Sequence, residues 1–341
     1  MATQPGRSAG GAPAVGPAGV NRRMTAAILA GAALVGSMIA APRAAHAKPK
    51  PPPGNLIFVQ KGAIWRVALA TPEEPVKLIK LPPMRKKRVT RLEAAGDGSA
   101  LLVELSKNAA WIDLSGPTPA APVYLPCRGR AHLSPGGERV LCASRTGKGT
   151  SVYRLRPTFG AAPLPASPGA TLMADLTGER VIVAEPKALF LTPVASPDHR
   201  TQVAPHAPSA SLSIAPDGQR AVGRYSDGDG AESLYGFRLD GEAARRKLGP
   251  GTPVGWSADS VWLAVNGENT ACAVRAVGGE FKCWDKFRTL AIDRDGSWLL
   301  LARPPGAKAR RFDLFLGRVG GPHVEKPLPL LRGVSAAVLV P

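Results

Sequence analysis

Leu212-Ser213-Ile214-Ala215-Pro216-Asp217-Gly218-Gln219-Arg220-Ala221-Val222 sets two short alternating runs on either side of a Pro-Asp-Gly bend. Proline fixes φ, aspartate hydrogen-bonds its own backbone two residues on, and glycine turns without a Cβ, so the phrase reads as a tight antiparallel hairpin. Leu133-Ser134-Pro135-Gly136-Gly137-Glu138-Arg139-Val140-Leu141 is a close copy, and looser copies run from Leu92 to Leu101, Leu172 to Val183, Trp256 to Leu263 and Ile292 to Leu300. Their bends carry Gly98, Gly137, Gly178, Gly218, Ser260 and Gly296, at intervals of 39, 41, 40, 42 and 36 residues. A third apolar run follows the hairpin, as in Trp111 to Leu114, Val152 to Leu155, Leu234 to Leu239 and Leu314 to Val319. A repeat of about forty residues built this way has the length of one four-stranded β-propeller blade. The expected fold is therefore all-β, a single propeller spanning residues 55–341.

These residues resemble the WD40-like repeat of TolB-type β-propellers, in which a Ser-Pro-Asp-Gly turn, an apolar strand, a polar loop and an apolar-Tyr-apolar strand recur. The stretches 134–137 and 215–218 come nearest to the full turn, and the resemblance covers nearly all of the chain after residue 54. It implies a propeller and an envelope interaction module, and TolB-type propellers are often six-bladed.

The ends of the chain argue for a different count. Leu56 to Val59 and Ile64 to Leu69 read as second and third strands with no first strand before them, and Val334 to Val340 reads as a strand with no hairpin after it. Pairing them closes a ring of seven blades, about 41 residues each over residues 56–341. A six-bladed ring with one loose unit is the alternative. Closure matters because an unpaired end blade exposes a strand edge to aggregation.

The first 47 residues have another character. A Gly/Pro/Ala-rich tract leads to Arg22-Arg23, an apolar stretch from Met24 to Ala41, and the small-x-small pattern Ala45-His46-Ala47. That is the layout of a secretory signal with cleavage after Ala47, and 48–54 is a Lys/Pro-rich spacer. An uncleaved membrane anchor is the alternative, since the apolar stretch is near the lower length of a span. The expected location is periplasmic or secreted.

An oxidising compartment gives the four cysteines a use. Cys272 and Cys283 fall on the third and fourth strands of one expected blade, nearly opposite each other. Cys127, in a link entering a blade, is left to Cys142 on that blade's second strand. No Cys-x-x-Cys occurs and the histidines do not cluster, so neither a metal nor another cofactor is expected. Asp227-Gly228-Asp229-Gly230-Ala231-Glu232 could offer oxygens to calcium, but it lacks the full twelve-residue spacing and reads as an ordinary polar loop. No Gly-x-Ser-x-Gly elbow and no acid/base arrangement of histidines is present, so no catalytic residue is assigned.

Charge is the remaining clue. The chain has 44 basic and 25 acidic residues; residues 1–47 hold four arginines and no acid, which leaves the rest at a formal +15. Such a balance favours anionic partners. In a four-stranded meander, the loops between second and third strands share a face with the blade-to-blade links. On that face fall Arg85, Lys86, Lys87, Arg88, Arg128, Arg130, Arg145, Lys148, Lys286, Arg288, Lys308, Arg310 and Arg311. The opposite rim takes Asp97, Glu138, Glu179, Asp217, Asp259 and Asp295, offset by Arg139, Arg180 and Arg220. Aromatic residues for stacking are scarce near the basic loops, which argues against single-stranded nucleic acid. The functional expectation is an exported, monomeric, non-enzymatic propeller presenting its basic face to an acidic protein or an anionic envelope component. The alternative is a propeller enzyme, a hydrolase or lyase on glycans, with its site at the channel mouth.

Overall fold

The computed structural model describes residues 52–81, 89–106, 108–127, 130–143, 150–164, 176–177, 179–185, 188–204, 206–209, 211–240, 245–277, 279–304, 311–320 and 323–341. Among them there is no helix, and 28 strands form seven four-stranded antiparallel sheets. These are the blades of a seven-bladed β-propeller. Blade 1 is made by both ends of the propeller; blades 2 to 7 are successive meanders over 89–125, 130–164, 176–204, 212–249, 252–285 and 288–334. The secretory-signal reading, residues 1–47, and the first four residues of the 48–54 spacer lie outside the described residues.

Blade 1 shows how the ring closes. Its strand order is Ala336–Val340, Asn55–Gln60, Ala63–Ala68, Val76–Lys80, so the last strand of the chain becomes the innermost strand of the first blade. The register runs from Asn55↔Val340 to Val59↔Ala336. Asn55 Nδ2 donates to the Pro341 carbonyl at 3.0 Å, and Gln60 Nε2 to the Arg332 carbonyl at 2.8 Å. The closing strand is shorter than the sequence suggests: Val334 ends the preceding strand, and Ser335, whose N–H donates to the Val59 carbonyl at 2.9 Å, separates the two.

The second strand of a blade is buried on both sides, which explains continuous apolar runs where alternation would be expected of a one-sided sheet. In Asn55–Gln60, Leu56 and Phe58 pack against Leu300, Leu314 and Leu316 of blade 7. The intervening Ile57 and Val59 pack against Leu92, Leu101 and Val103 of blade 2. No blade has a core of its own; the cores lie between neighbours.

The hairpin bends stitch neighbouring blades together on one face, here called the turn face. Gly96 N–H donates to the Pro135 carbonyl at 2.8 Å, Ala258 N–H to the Arg294 carbonyl at 2.8 Å, and Trp111 Nε1 to the Gly137 carbonyl at 3.0 Å. Ser260 stands in the left-handed region, at φ 60°, where the other bends use glycine. Its buried hydroxyl accepts the Asp217 N–H of the previous blade at 3.0 Å, a bond that glycine could not make. Gly137 adopts φ 73°, and a Cβ there would lie 2.8 and 2.9 Å from the β-carbons of Ala100 and Ala95.

Both cysteine pairs are disulfides. Cys272 and Cys283 are direct cross-strand partners with Cα atoms 4.2 Å apart. Cys127, just beyond the last strand of blade 2, and Cys142, on the second strand of blade 3, have Cα atoms 5.1 Å apart.

Two outcomes follow for stability. Gly137→Val combines a forced left-handed β-branched residue with overpacking and is expected to lower the unfolding free energy by about 3 kcal/mol. Gly136→Ala, whose Cβ meets nothing within 4 Å, is the near-neutral control in the same denaturant titration. Replacing Cys272 and Cys283 together by serine opens an 11-residue loop and is expected to remove about 3 kcal/mol, read the same way.

Candidate functional site

Opposite the turn face lies the link face, where blade-to-blade links and second-to-third-strand loops meet. Of the basic residues expected there, Arg130, Lys286, Arg288 and Arg311 are described; Arg85, Lys86, Lys87, Arg88, Arg128, Arg145, Lys148, Lys308 and Arg310 lie outside the described residues. Arg130 and Arg288 open the innermost strands of blades 3 and 7, Arg130–Leu133 and Arg288–Ile292, and both are exposed. Lys286 is exposed in the tight link before Arg288, at φ 66°, its N–H donating to the Asn269 carbonyl at 2.7 Å. Arg311, also exposed, directly precedes the strand Phe312–Arg318.

One further cation belongs with them. Arg303 ends the second strand of blade 7, Trp298–Arg303, on this face. Its guanidinium lies 4.7 Å over the Phe315 ring and 5.7 Å from the Phe287 ring, and the two rings meet edge to face at 5.2 Å. Stacking leaves the in-plane N–H edge of a guanidinium free for a carboxylate or phosphate and restricts its rotamers in advance. None of the ion pairs among the described residues involves Lys286, Arg288, Arg303 or Arg311.

Charges on the turn face are used differently. Asp97, Asp217 and Asp259 accept the backbone N–H groups of Ser99, Gln219 and Val261, each at 2.9 to 3.0 Å. Arg220 pairs with Asp217 at 2.8 Å; Arg139 reaches Glu179 of the next blade at 3.4 Å, and Arg156 bonds Asp113 and the Ser99 carbonyl of the blade before. These side chains hold bends and blades together.

A third group sits on the inner strands of blades 2 and 3. Arg91 approaches Glu93 at 3.1 Å and Glu104 at 4.0 Å, and His132 Nδ1 lies 4.0 Å from the same Glu93 carboxylate. Burial, then the nearby Arg91 and Arg130, push the His132 imidazole well below its ordinary pKa, so it stands neutral near pH 7. Neutral imidazole can accept or donate one hydrogen bond here but contributes no charge to the channel.

The 227–232 loop behaves as a hydrogen-bonded turn. Asp227 accepts the hydroxyl of Tyr235, that of Ser233 at 2.8 Å and the Lys247 ammonium at 2.7 Å, which hold its pKa down at about 2. Asp229 accepts the Ala231 N–H at 3.0 Å, and Glu232 pairs with Arg224. Donors thus occupy both oxygens of Asp227 and one of Asp229, leaving too few for a cation's shell of about six to eight.

With this geometry in hand, known proteins add the architecture only. No protein-family model and no curated protein matches the sequence. Among solved structures, a functionally unknown protein from Desulfotomaculum acetoxidans DSM 771 superposes with a TM-score of 0.54 and 14% identity, over 84% of this chain and 99% of that one. The dihydro-heme d1 dehydrogenase NirN, in complex with DHE, does so at 0.52 and 16%, over 84% and 75%. The similarity is one of fold. TolB from Acinetobacter baumannii is also among the matches, at 0.46 and 13% over 84% and 67%, too loose a superposition to separate one propeller family from another.

His132 gives a test with a definite sign. The unfolded chain takes up its proton near pH 6.5 while the folded chain resists, so stability is expected to fall as the pH drops below about 6.5, by at most about 1.4 kcal/mol per unit. Denaturant titrations between about pH 7 and pH 5 should show that slope flattened in His132→Gln.

Proposed function

We propose that this chain is an exported, non-catalytic binding propeller whose link face takes an acidic protein or another anionic component of the cell envelope. The observation that carries the reading is the contrast between the faces. On the turn face, aspartates and arginines are bonded into bends and into each other across blades. On the link face, Lys286, Arg288, Arg303 and Arg311 are solvent-exposed beside one another in blade 7 and the link entering it, without carboxylate partners among the described residues. Asp285, next to Lys286, and Asp313, opposite Arg303 in the register, lie among these cations, and none of the four is in an ion pair with a carboxylate among the described residues. A propeller is a rigid surface, so such cations bind with little ordering of the scaffold. Arg303, lying over the Phe315 ring and beside Phe287, supplies a preorganised anchor.

Two disulfides fit export to an oxidising compartment, and the Arg22-Arg23, Met24 to Ala41, Ala45-His46-Ala47 layout supports a periplasmic or secreted location. The strand ends that bracket 82–88, 128–129, 144–149 and 305–310 open on the link face as well, which supports counting their basic residues with the four described ones.

Retention of residues 48–341 on immobilised poly-glutamate is expected to fall steeply between about 50 and 300 mM salt, because exposed charge pairs are screened over about 10 Å. Converting Lys286, Arg288, Arg303 and Arg311 to glutamine should abolish most of it, and Arg85, Lys86, Lys87 and Arg88 to glutamine should weaken it further. No retention at low salt, or retention that neither variant changes, would rule the reading out.

A further inference from the structure

On the outer part of blade 5, away from the basic cluster, the cleft toward blade 4 contains an open cavity of about 670 Å³ lined by Tyr225, Asp227, Asp229, Tyr235, Arg245 and Lys247 with the loop backbone. The register explains the gathering. Tyr225 lies opposite Ser233 and Tyr235 opposite Lys247 across the three outer strands of the blade, so these side chains share the sheet side that packs on Ile182, Leu189 and Val203 of blade 4. The Tyr225 ring meets Tyr235 edge to face at 5.8 Å and carries the Arg245 guanidinium 4.6 Å above it.

Four properties narrow what fits. The cavity is too large and open for a single ion, and the Asp227 oxygens already hold three donors. Its lining is mainly polar, unlike the apolar walls that take lipids and most drug-like ligands. Two carboxylates face two cations, so the site has no net charge with which to attract a polyanion. Both signs nevertheless stay present at neutral pH: Asp227 is held at about 2, and the same hydrogen bond raises the Lys247 ammonium. What remains is a neutral ligand with many hydroxyl groups. Lys247, whose side chain is 56% exposed, keeps N–H groups to donate; Arg245 offers a guanidinium edge, Asp229 a second oxygen to accept, and Tyr235 an aromatic surface for C–H groups.

We propose that this cleft binds a neutral sugar of about disaccharide size. Lys247, held in place by Asp227, donates to one hydroxyl and the free oxygen of Asp229 accepts from its neighbour, with Tyr235 as the platform. The site is separate from the link-face cluster and does not depend on it.

Saturation-transfer NMR on residues 48–341 with maltose, cellobiose and lactose, each at about 5 mM, tests the assignment. At least one is expected to give ring-proton transfer, with affinity in the millimolar range. Lys247→Ala should weaken it at least tenfold, and Asp229→Asn, which keeps the bond to Ala231 but removes the charge, should weaken it severalfold. Arg303→Gln should leave it unchanged. The proposal is overturned by absence of transfer from all three sugars, by transfer that both blade 5 variants leave intact, or by binding of glucuronate in place of the neutral sugars.

Discussion

Pairing of Ala336–Val340 with Asn55–Gln60 is the contact on which the rest of this molecule depends. Because no blade has a private core, blade 1 is stable only while it is complete enough to cover blade 2 on one side and blade 7 on the other. Opening that one strand pair would leave two half-covered apolar sheets and two exposed edges. Among the described residues the other blades follow one another along the chain, while blade 1 brings together stretches more than 270 positions apart, both within itself, at Ser335 and Val59, and against blade 7, at Gln60 and Arg332.

Closure also organises charge. A meander sends its bends to one face and its links to the other, so seven repetitions separate two sets of loops without any long-range instruction. Bends are short, and their polar side chains are needed at once for the backbone groups that the turn leaves unpaired; Asp97, Asp217 and Asp259 are used in this way. Links and second-to-third-strand loops vary in length; Asp227 and Asp229 are used within their own loop, but Lys286, Arg288 and Arg311 stand exposed to solvent and to partners. The difference between the faces follows from connectivity, and blade 7 with Arg303, Phe287 and Phe315 is where it is most developed.

The fold was legible in the sequence because turn chemistry is local. Pro216-Asp217-Gly218 dictates its own geometry, and Gly218 indeed sits at φ 65°. The seventh blade could be inferred from two unmatched ends, the disulfide of Cys272 and Cys283 from strand positions, and that of Cys127 and Cys142 as the pairing left over. Side-chain groupings between blades were harder to read. Arg303 ends its strand with a charge, as many strands do, and its stacking depends on which side of the sheet it faces and on two phenylalanines distant in the chain. The group of Arg91, Glu93 and His132 did leave a trace: Glu93 and His132 stand one repeat apart, at matching places on neighbouring inner strands. Aligning the repeats by register, beyond their apolar pattern, would have exposed it. The cleft beside Tyr225 and Tyr235 needs the register of three strands of blade 5 and has no sequence signature beyond its loop.

The closing strand has a consequence in time. A chain made from its amino end can assemble six meanders as each emerges from the ribosome or translocation pore, since their contacts are local. The first blade must wait, with Leu56 and Phe58 uncovered, until the last blade and the final residues arrive. During that interval the early strands are the natural ligand for a holding chaperone, and premature release of the nascent polypeptide would yield a sticky ring with a gap in place of a slightly shorter native protein.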